Sequence, residues 1–308
     1  MLPVPLPHAD HFQSARPLQA ARDDFERAFF PHASLAGCYA GLLQWQDHFL
    51  YALARSGGTS YVLSLYDGRY AYLPMPPRPL TRESLETAFG YMARVNGPDA
   101  RGVSRIEGLT KEESDRVASW GYPIRRVSQE FVYDRARVAG LHGDPYRAKR
   151  ADVNHLLKHY GASFRAFHPG DAESCMKVYG RWSAERALRL KGETGERMLR
   201  HAEAAHARVM KDGADWGLSG WVVEVEGEIM AYAFGTRLSP DTHGVLLEVA
   251  DLTVKGLSAY IFSRVCSTLE GCVFVNGGDA EELPGLAEAK EHWHPVCKTE
   301  IYAVDGRS

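Results

Sequence analysis

The chain has 308 residues, 45% hydrophobic and 24% charged, with a formal net charge of −3, which is enough for two domains of ordinary size and too near neutral for a protein coated in nucleic acid, a local basic patch aside. No run approaches the ~18 apolar residues that span a bilayer, and Met1–Asp10 lacks the basic start and apolar core of a signal peptide, so a cytoplasmic protein is expected. The five cysteines are odd in number and scattered, and His292-Trp293-His294 lacks further ligands at recognisable spacing, so reduced cysteines and no metal site are expected.

In chain order, a proline-punctuated arm runs to Pro17, then a helical stretch over 18–30 and a helical or mixed segment over 35–45. Segments 48–55 and 59–66 read as strands, and Tyr66-Asp67-Gly68-Arg69 turns the chain into a third, 70–73. Pro74–Pro79 is a loop that cannot sit in a central strand. Thr81 caps a helix to about Val95; a short strand (102–108), a helix opened by Thr110 and a closing strand (129–133) follow.

The second half repeats that order. A strand over 163–167 leads into a helix from Pro169 through Arg186 and another over 196–211. Strands at 221–225 and 229–234 flank a Glu226-Gly227 turn, and a third strand covers 245–252. A helix (258–269), a strand (272–275), a Gly-rich loop, a short helix (286–291) and a last strand (296–304) finish the chain.

Between the halves, residues 131–165 hold seven Lys or Arg against three Asp. Read as a helix over 145–160, they place Tyr146, Lys149, Arg150, Val153, Asn154 and Leu157 on one stripe. Its C-terminal end should be buried. Its N-terminal end puts a phenol, an ammonium and a guanidinium where core residues are expected, either as the floor of an anion-binding cleft or as a solvated helix end with snorkelling stems.

A strand, two helices, a three-strand meander, a helix, a strand, a helix and a last strand is the element order of the GNAT (Gcn5-type N-acetyltransferase) fold. Its double appearance predicts an α+β, mixed α/β protein of two tandem GNAT-like (acyl-CoA N-acyltransferase-like) domains, each a mixed sheet flanked by helices. The expected division is 1–135 and 136–308, with the active-site cleft in the second domain; Gly140 and Gly143 break periodicity near the boundary. The basic stretch Gly143–Leu156 resembles the family named for the C-terminal domain of phosphatidylglycerol lysyltransferases. Matching stations are Trp182 with Glu185 and Arg186, Glu248-Val-Ala-Asp251 followed by Lys255-Gly256, Asn276, Gly285-Leu286, Ala289-Lys290 and His294-Pro295. In the first half, Leu43-Gln-Trp45 and Tyr66–Pro74 also fit.

That resemblance implies a tandem GNAT-like acyltransferase. Members joined to membrane domains move an aminoacyl group from aminoacyl-tRNA to a lipid headgroup, and related Fem-type peptidyltransferases share the fold and the donor. The sequence departs from the pattern in the late loop, Asn276-Gly-Gly-Asp279-Ala280-Glu281-Glu282, where the acid is displaced by one residue and a glycine is lost; His292 replaces a small hydroxyl residue. The CoA-binding Gly-rich loop is reduced to Lys255-Gly256 at a helix start, a weak pyrophosphate cradle.

Transfer from a tRNA ester needs positioning and oxyanion stabilisation more than a strong nucleophile. Glu248, Asp251 and Asp279 are the candidate catalytic carboxylates. Tyr146, Lys149, Arg150, Asn154, Glu185, Lys255, Gly256, Asn276, Lys290 and His294 are candidate substrate contacts. Aminoacyl-tRNA, or alternatively acyl-CoA, is expected as co-substrate without a resident cofactor, with a small-molecule or lipid-headgroup acceptor. Two other readings stand beside this one: an acyl-CoA-dependent N-acyltransferase of a small amine, and a degenerate tandem GNAT that binds without turnover.

Overall fold

Two-residue turns with both φ angles positive set the hairpins of this chain. Gly57-Gly58 (φ +55° and +78°) joins β2 to β3, and Glu226-Gly227 (φ +53° and +87°) joins β8 to β9, the backbone that two-residue turns between twisted strands require. The computed structural model describes residues 6–97, 103–187, 193–280 and 284–306. The elements in order are β1 (Ser14–Pro17), α1 (Arg22–Phe29), α2 (Tyr39–Leu43), β2 (Phe49–Ser56), β3 (Thr59–Tyr66), β4 (Tyr70–Tyr72), α3 (Arg82–Asn96), β5 (Arg105–Leu109), α4 (Lys111–Ser119), β6 (Ile124–Asp134) and α5 (Arg135–Gly140). They continue with α6 (Arg147–His159), β7 (Ala162–Ala166), α7 (Ala172–Ala187), α8 (Glu193–Asp212), β8 (Ser219–Val225), β9 (Glu228–Arg237), β10 (Thr242–Ala250), α9 (Leu257–Thr268), β11 (Phe274–Asn276), α10 (Pro284–Glu291) and β12 (Cys297–Asp305).

The chain divides into two compact units, Met1–Glu130 with Thr299–Ser308, and Phe131–Lys298. Beside the sequence-based division at 135/136, this one falls inside β6 and assigns the last ten residues to the first unit.

The first unit carries an antiparallel sheet in the order β1-β2-β3-β4 and the antiparallel pairing of β5 with β12. Thr81 and Thr110 close capping boxes with Ser84 and Glu113, which satisfies orphan N–H groups at the starts of α3 and α4. Leu85, Ala88, Tyr91 and Met92 of α3 are fully buried against Tyr61, Leu63 and Leu65 of β3. One expectation is corrected here. Residues 14–17 pair with β2 as an edge strand rather than forming a loose arm, a place where Pro17 withholds no bond a central strand would need. Residues 135–140 are helical, started by the Asp134 carboxylate accepting from the Arg137 N–H at 2.9 Å.

In the second unit the strands run β6-β11-β10-β9-β8-β7, and Leu257, Ile261 and Val265 of α9 bury against Trp221, Val223, Ala233, Val245 and Val275. Each such side chain, fully withdrawn from water, contributes about 1.5–3 kcal/mol before entropy is counted. One pairing positions the site. β10 and β11 are parallel but stay together only from Thr242↔Phe274 to Gly244↔Asn276. β10 then follows β9 as far as Ala250, with a bulge between Val245 and Leu247, so the two parallel strands part beyond Gly244.

Candidate functional site

The inner face of α6 begins just before its first turn. Tyr146 is buried and its hydroxyl donates to the Trp293 carbonyl at 3.1 Å. Lys149 is half-buried with Nζ 4.7 Å above the Trp293 ring, an attractive cation–π placement. Val153 packs against the core, and Leu156 is fully buried. That line has the 3.6-residue period and corrects the expected stripe: Leu157 is 51% exposed and Asn154 is exposed. The reason is the close approach of α9, whose Gly256 meets Asp152 and Leu156 and so selects Leu156, not Leu157, as the inward residue. Arg150 lies at the rim, where Nη1 donates to the carbonyls of Leu141 and of Gly143 (2.6 Å for the latter), binding the loop between α5 and α6.

Glu248 stands on β10 where that strand has left β11. Its carboxylate accepts a 3.4 Å hydrogen bond from Ser258 Oγ in the first turn of α9. Burial pushes its carboxyl up to about 7, against the Lys290 ammonium, the Ser258 bond and the Lys149 ammonium. Lys149 is lowered by burial, with Asp152 and Glu248 opposing. A carboxyl raised toward neutrality and an ammonium lowered beside it are the pattern of a group poised for proton transfer.

Lys290 comes from α10. Its Nζ donates to the Gly277 carbonyl, and the Tyr133 hydroxyl holds the Lys290 carbonyl at 3.1 Å. Asn276 is buried and accepts from the Gly278 N–H at 2.8 Å, while the Gly277 N–H donates to Phe131 O at 2.9 Å. The late loop is therefore fixed up to Gly278. Asp279 follows it exposed; desolvation raises its carboxyl and Lys290 opposes. The altered loop still brings an acid near Lys290, but Glu281 and Glu282 lie outside the described residues.

The remaining predicted residues take other places. Asp251 is buried, with Oδ2 accepting from Arg181 Nε at 2.6 Å and Oδ1 from the Thr253 N–H at 3.0 Å and hydroxyl at 2.5 Å. Burial alone would raise its carboxyl, but the Thr253 and Arg181 bonds bring it below its ordinary value. Both oxygens are committed to shaping the turn from β10 into α9. Lys255 Nζ lies 4.0 Å from Asp152 and is largely exposed. Gly256 has φ +88°, and a Cβ there would stand 2.1 Å from the Asp152 carbonyl oxygen. Its glycine thus serves the packing of α6 on the start of α9, where the sequence suggested a remnant of a phosphate cradle. His294 Nε2 lies 3.0 Å from Pro145 O with its ring edge-on to Tyr146. Glu185 is half-buried on α7 and takes no part in these bonds.

Glu248, Lys149 and Lys290 are thus brought together, with Asn276 supporting the loop that meets Lys290. Three contributors escaped the sequence reading: Ser258, Trp293 and Tyr133. Trp293 was visible only as the middle of a His-Trp-His run, and no spacing marked it as the ring beneath Lys149. Among the described residues no group of three or more His, Cys, Asp or Glu is placed to hold a metal ion, and no helix is long and apolar enough to cross a membrane.

The family model for phosphatidylglycerol lysyltransferase, C-terminal, matches residues 105–304. The chain belongs to that family. Its structure is similar to that of a conserved protein of unknown function from Bacteroides thetaiotaomicron VPI-5482 (19% identity, 94% of this chain and 97% of that one, TM-score 0.81). It is also similar to L-PGS from Bacillus licheniformis (15%, 93% and 92%, 0.62) and to a tandem GNAT protein from the clavulanic acid biosynthesis pathway (15%, 96% and 99%, 0.50). At these identities the likeness establishes the fold, which is the mixed α/β, tandem GNAT-like one. No curated protein matches the sequence.

Proposed function

We propose that this family member is an aminoacyltransferase that moves an aminoacyl group from aminoacyl-tRNA to an amine or hydroxyl acceptor, working at Glu248 in the second unit. One observation carries the reading: a carboxyl raised to about 7 lies within the field of two ammonium groups, at the place where β10 and β11 part. The acceptor nitrogen or oxygen attacks the ester carbonyl, and its proton passes to the Glu248 carboxylate. The carbon–oxygen bond to the ribose then breaks, and the same proton goes to the departing ribose oxygen. Lys149 and Lys290 supply positive charge for the oxyanion formed on the way, in a half-buried setting where such charge acts strongly. No resident cofactor is required by these steps.

The donor ranking rests on α9. In an acyl-CoA enzyme the N–H groups at that helix start would be free to cradle a pyrophosphate. Here the Asp152 carbonyl of α6 crowds Gly256, which favours a tRNA ester, itself already activated, over acyl-CoA. The basic segment 135–165 offers phosphate contacts for an acceptor stem through exposed Arg147 and Lys158.

The test is filter retention of radiolabelled aminoacyl-tRNA and of acetyl-CoA on the full chain, followed by transfer to hydroxylamine as a surrogate amine. Retention of the tRNA, with label transfer above the uncatalysed rate that Glu248→Gln abolishes while retention persists, is expected. Low-micromolar acetyl-CoA binding without tRNA retention would reverse the donor assignment.

A further inference from the structure

Three guanidinium groups from three elements of the first unit converge on one carboxylate. Asp24, near the start of α1, accepts from Arg16 of β1 on Oδ2. On Oδ1 it meets Arg27 of the same helix at 2.6 Å and Arg55 of β2 at 3.4 Å. The register pairs Arg16 with Leu53 and Ser14 with Arg55, so Arg16 and Arg55 project from one face of the sheet. The side chain of Asp24 is 23% exposed, those of Arg16 and Arg55 48% each and that of Arg27 71%. The carboxylate therefore lies beneath a layer of guanidinium groups that faces solvent.

The charge does not balance. Three cations share one anion, a local surplus of two, and these side chains make no other ion pair among the described residues. Of the neighbouring acids of α1, Glu26 is turned to another partner. Glu26 lies 2.9 Å from His32 Nε2, and Asp23 shares the surroundings of Tyr39 with Arg22, whose guanidinium is 6.0 Å from that ring. A guanidinium has five N–H donors in a flat fork, so most donors of the three arginines remain uncommitted. Like charges held this close repel, and an anion with several oxygens relieves the repulsion while taking paired N–H bonds.

We propose that Arg16, Arg27 and Arg55 form a binding site for a phosphate-bearing anion, whose oxygens take the outward N–H groups and compete with Asp24 for the same three cations. The site is independent of Glu248 and of the reaction assigned to it. A phosphomonoester or pyrophosphate of a small molecule and the phosphodiester backbone of RNA present the same chemistry, and the test separates them.

Calorimetry on the full chain, with inorganic pyrophosphate and with a short single-stranded RNA as probes, reads the site directly. Arg16→Gln combined with Arg55→Gln should weaken the bound probe by about tenfold or more, since two charge-assisted bonds are lost. Arg116→Gln, at an exposed arginine of α4 in the same unit, should leave affinity unchanged. Asp24→Asn separates ligand binding from simple ion pairing: removing the competing carboxylate should tighten binding severalfold, as long as circular dichroism shows the fold intact. Pyrophosphate binding alone assigns a small phosphorylated ligand. RNA binding whose salt slope falls by about one per arginine removed assigns the polynucleotide. Absence of binding by either probe, equal affinity in the double variant, or weaker binding by a folded Asp24→Asn protein overturns the proposal.

Discussion

Replacing Glu248 by Gln should change the pH dependence of stability by an amount the structure sets. The carboxyl sits at about 7 in the folded protein against an ordinary 4.5. A difference of about 2.5 pH units corresponds to about 3 kcal/mol, and the partial exposure of the residue brings the expected change to about 2 kcal/mol. The sign follows from the direction. Because the folded value is raised, protonated Glu248 favours the folded state: its contribution is complete below pH 4.5, shrinks as pH rises, and is gone above 7. Glutamine has no such dependence, so the stability of Glu248→Gln minus that of the wild type should climb by about 2 kcal/mol between pH 4 and pH 8. Urea unfolding of both proteins at matched pH, followed by tryptophan fluorescence, measures the difference curve, and carbon-13 NMR of the glutamate carboxyl measures the titration directly. A flat difference curve, within about 0.5 kcal/mol, or a Glu248 signal that titrates near 4.5, would refute the account of burial and with it the proton-transfer role.

Gly256→Ala must put a side chain at φ +88° and against the Asp152 carbonyl. The left-handed backbone costs about 1–2 kcal/mol and the displacement of α6 about 1–3 more, so a loss of about 3 kcal/mol is expected in denaturant unfolding, and an unchanged midpoint would show that α6 does not rest on α9. His206 is buried, shares a 2.8 Å hydrogen bond with the Tyr232 hydroxyl, and is pushed down to about 3 by burial. A lowered imidazole stabilises fully above its ordinary 6.5 and loses that stability as pH falls toward 3. Wild type should therefore be about 2–3 kcal/mol more sensitive than His206→Gln to a change from pH 7 to 4.5; equal acid sensitivity would contradict the burial argument.

Most of the architecture was legible because period and punctuation agree along the chain. The second strand of the first hairpin, β3, has the predicted bounds, and Thr81 and Thr110 cap the helices expected of them. Fine phase on α6 was not. Leu156 and Leu157 are identical to a periodicity argument, and the choice between them is made by a glycine about a hundred residues later in the chain. The candidate site divides the same way. Glu248 was singled out as a strand-end acid, but so was Asp251, and only the tertiary position of Arg181 commits the latter to a structural bond. Lys149 read as one cation of a basic helix; the ring that receives it, Trp293, is remote in sequence and carries no motif. Residue type locates an ionisable group along the chain. What it faces is decided by elements the local pattern does not contain.

The pairing of β12 with β5 has a consequence for biosynthesis. Tyr302, Val304 and Asp305 lie opposite Leu109, Ile106 and Arg105, and both Ile106 and Val304 are fully buried in the first unit's core. At roughly 5–20 residues per second, translation of 131–298 separates the rest of that unit from its closing strand by roughly 10–30 s. Throughout that interval, while the second unit is being made, Ile106 and Leu109 wait without a partner on that edge. Order of synthesis and order of completion are therefore reversed, and a premature stop that removes only β12 damages the half of the protein that was made first.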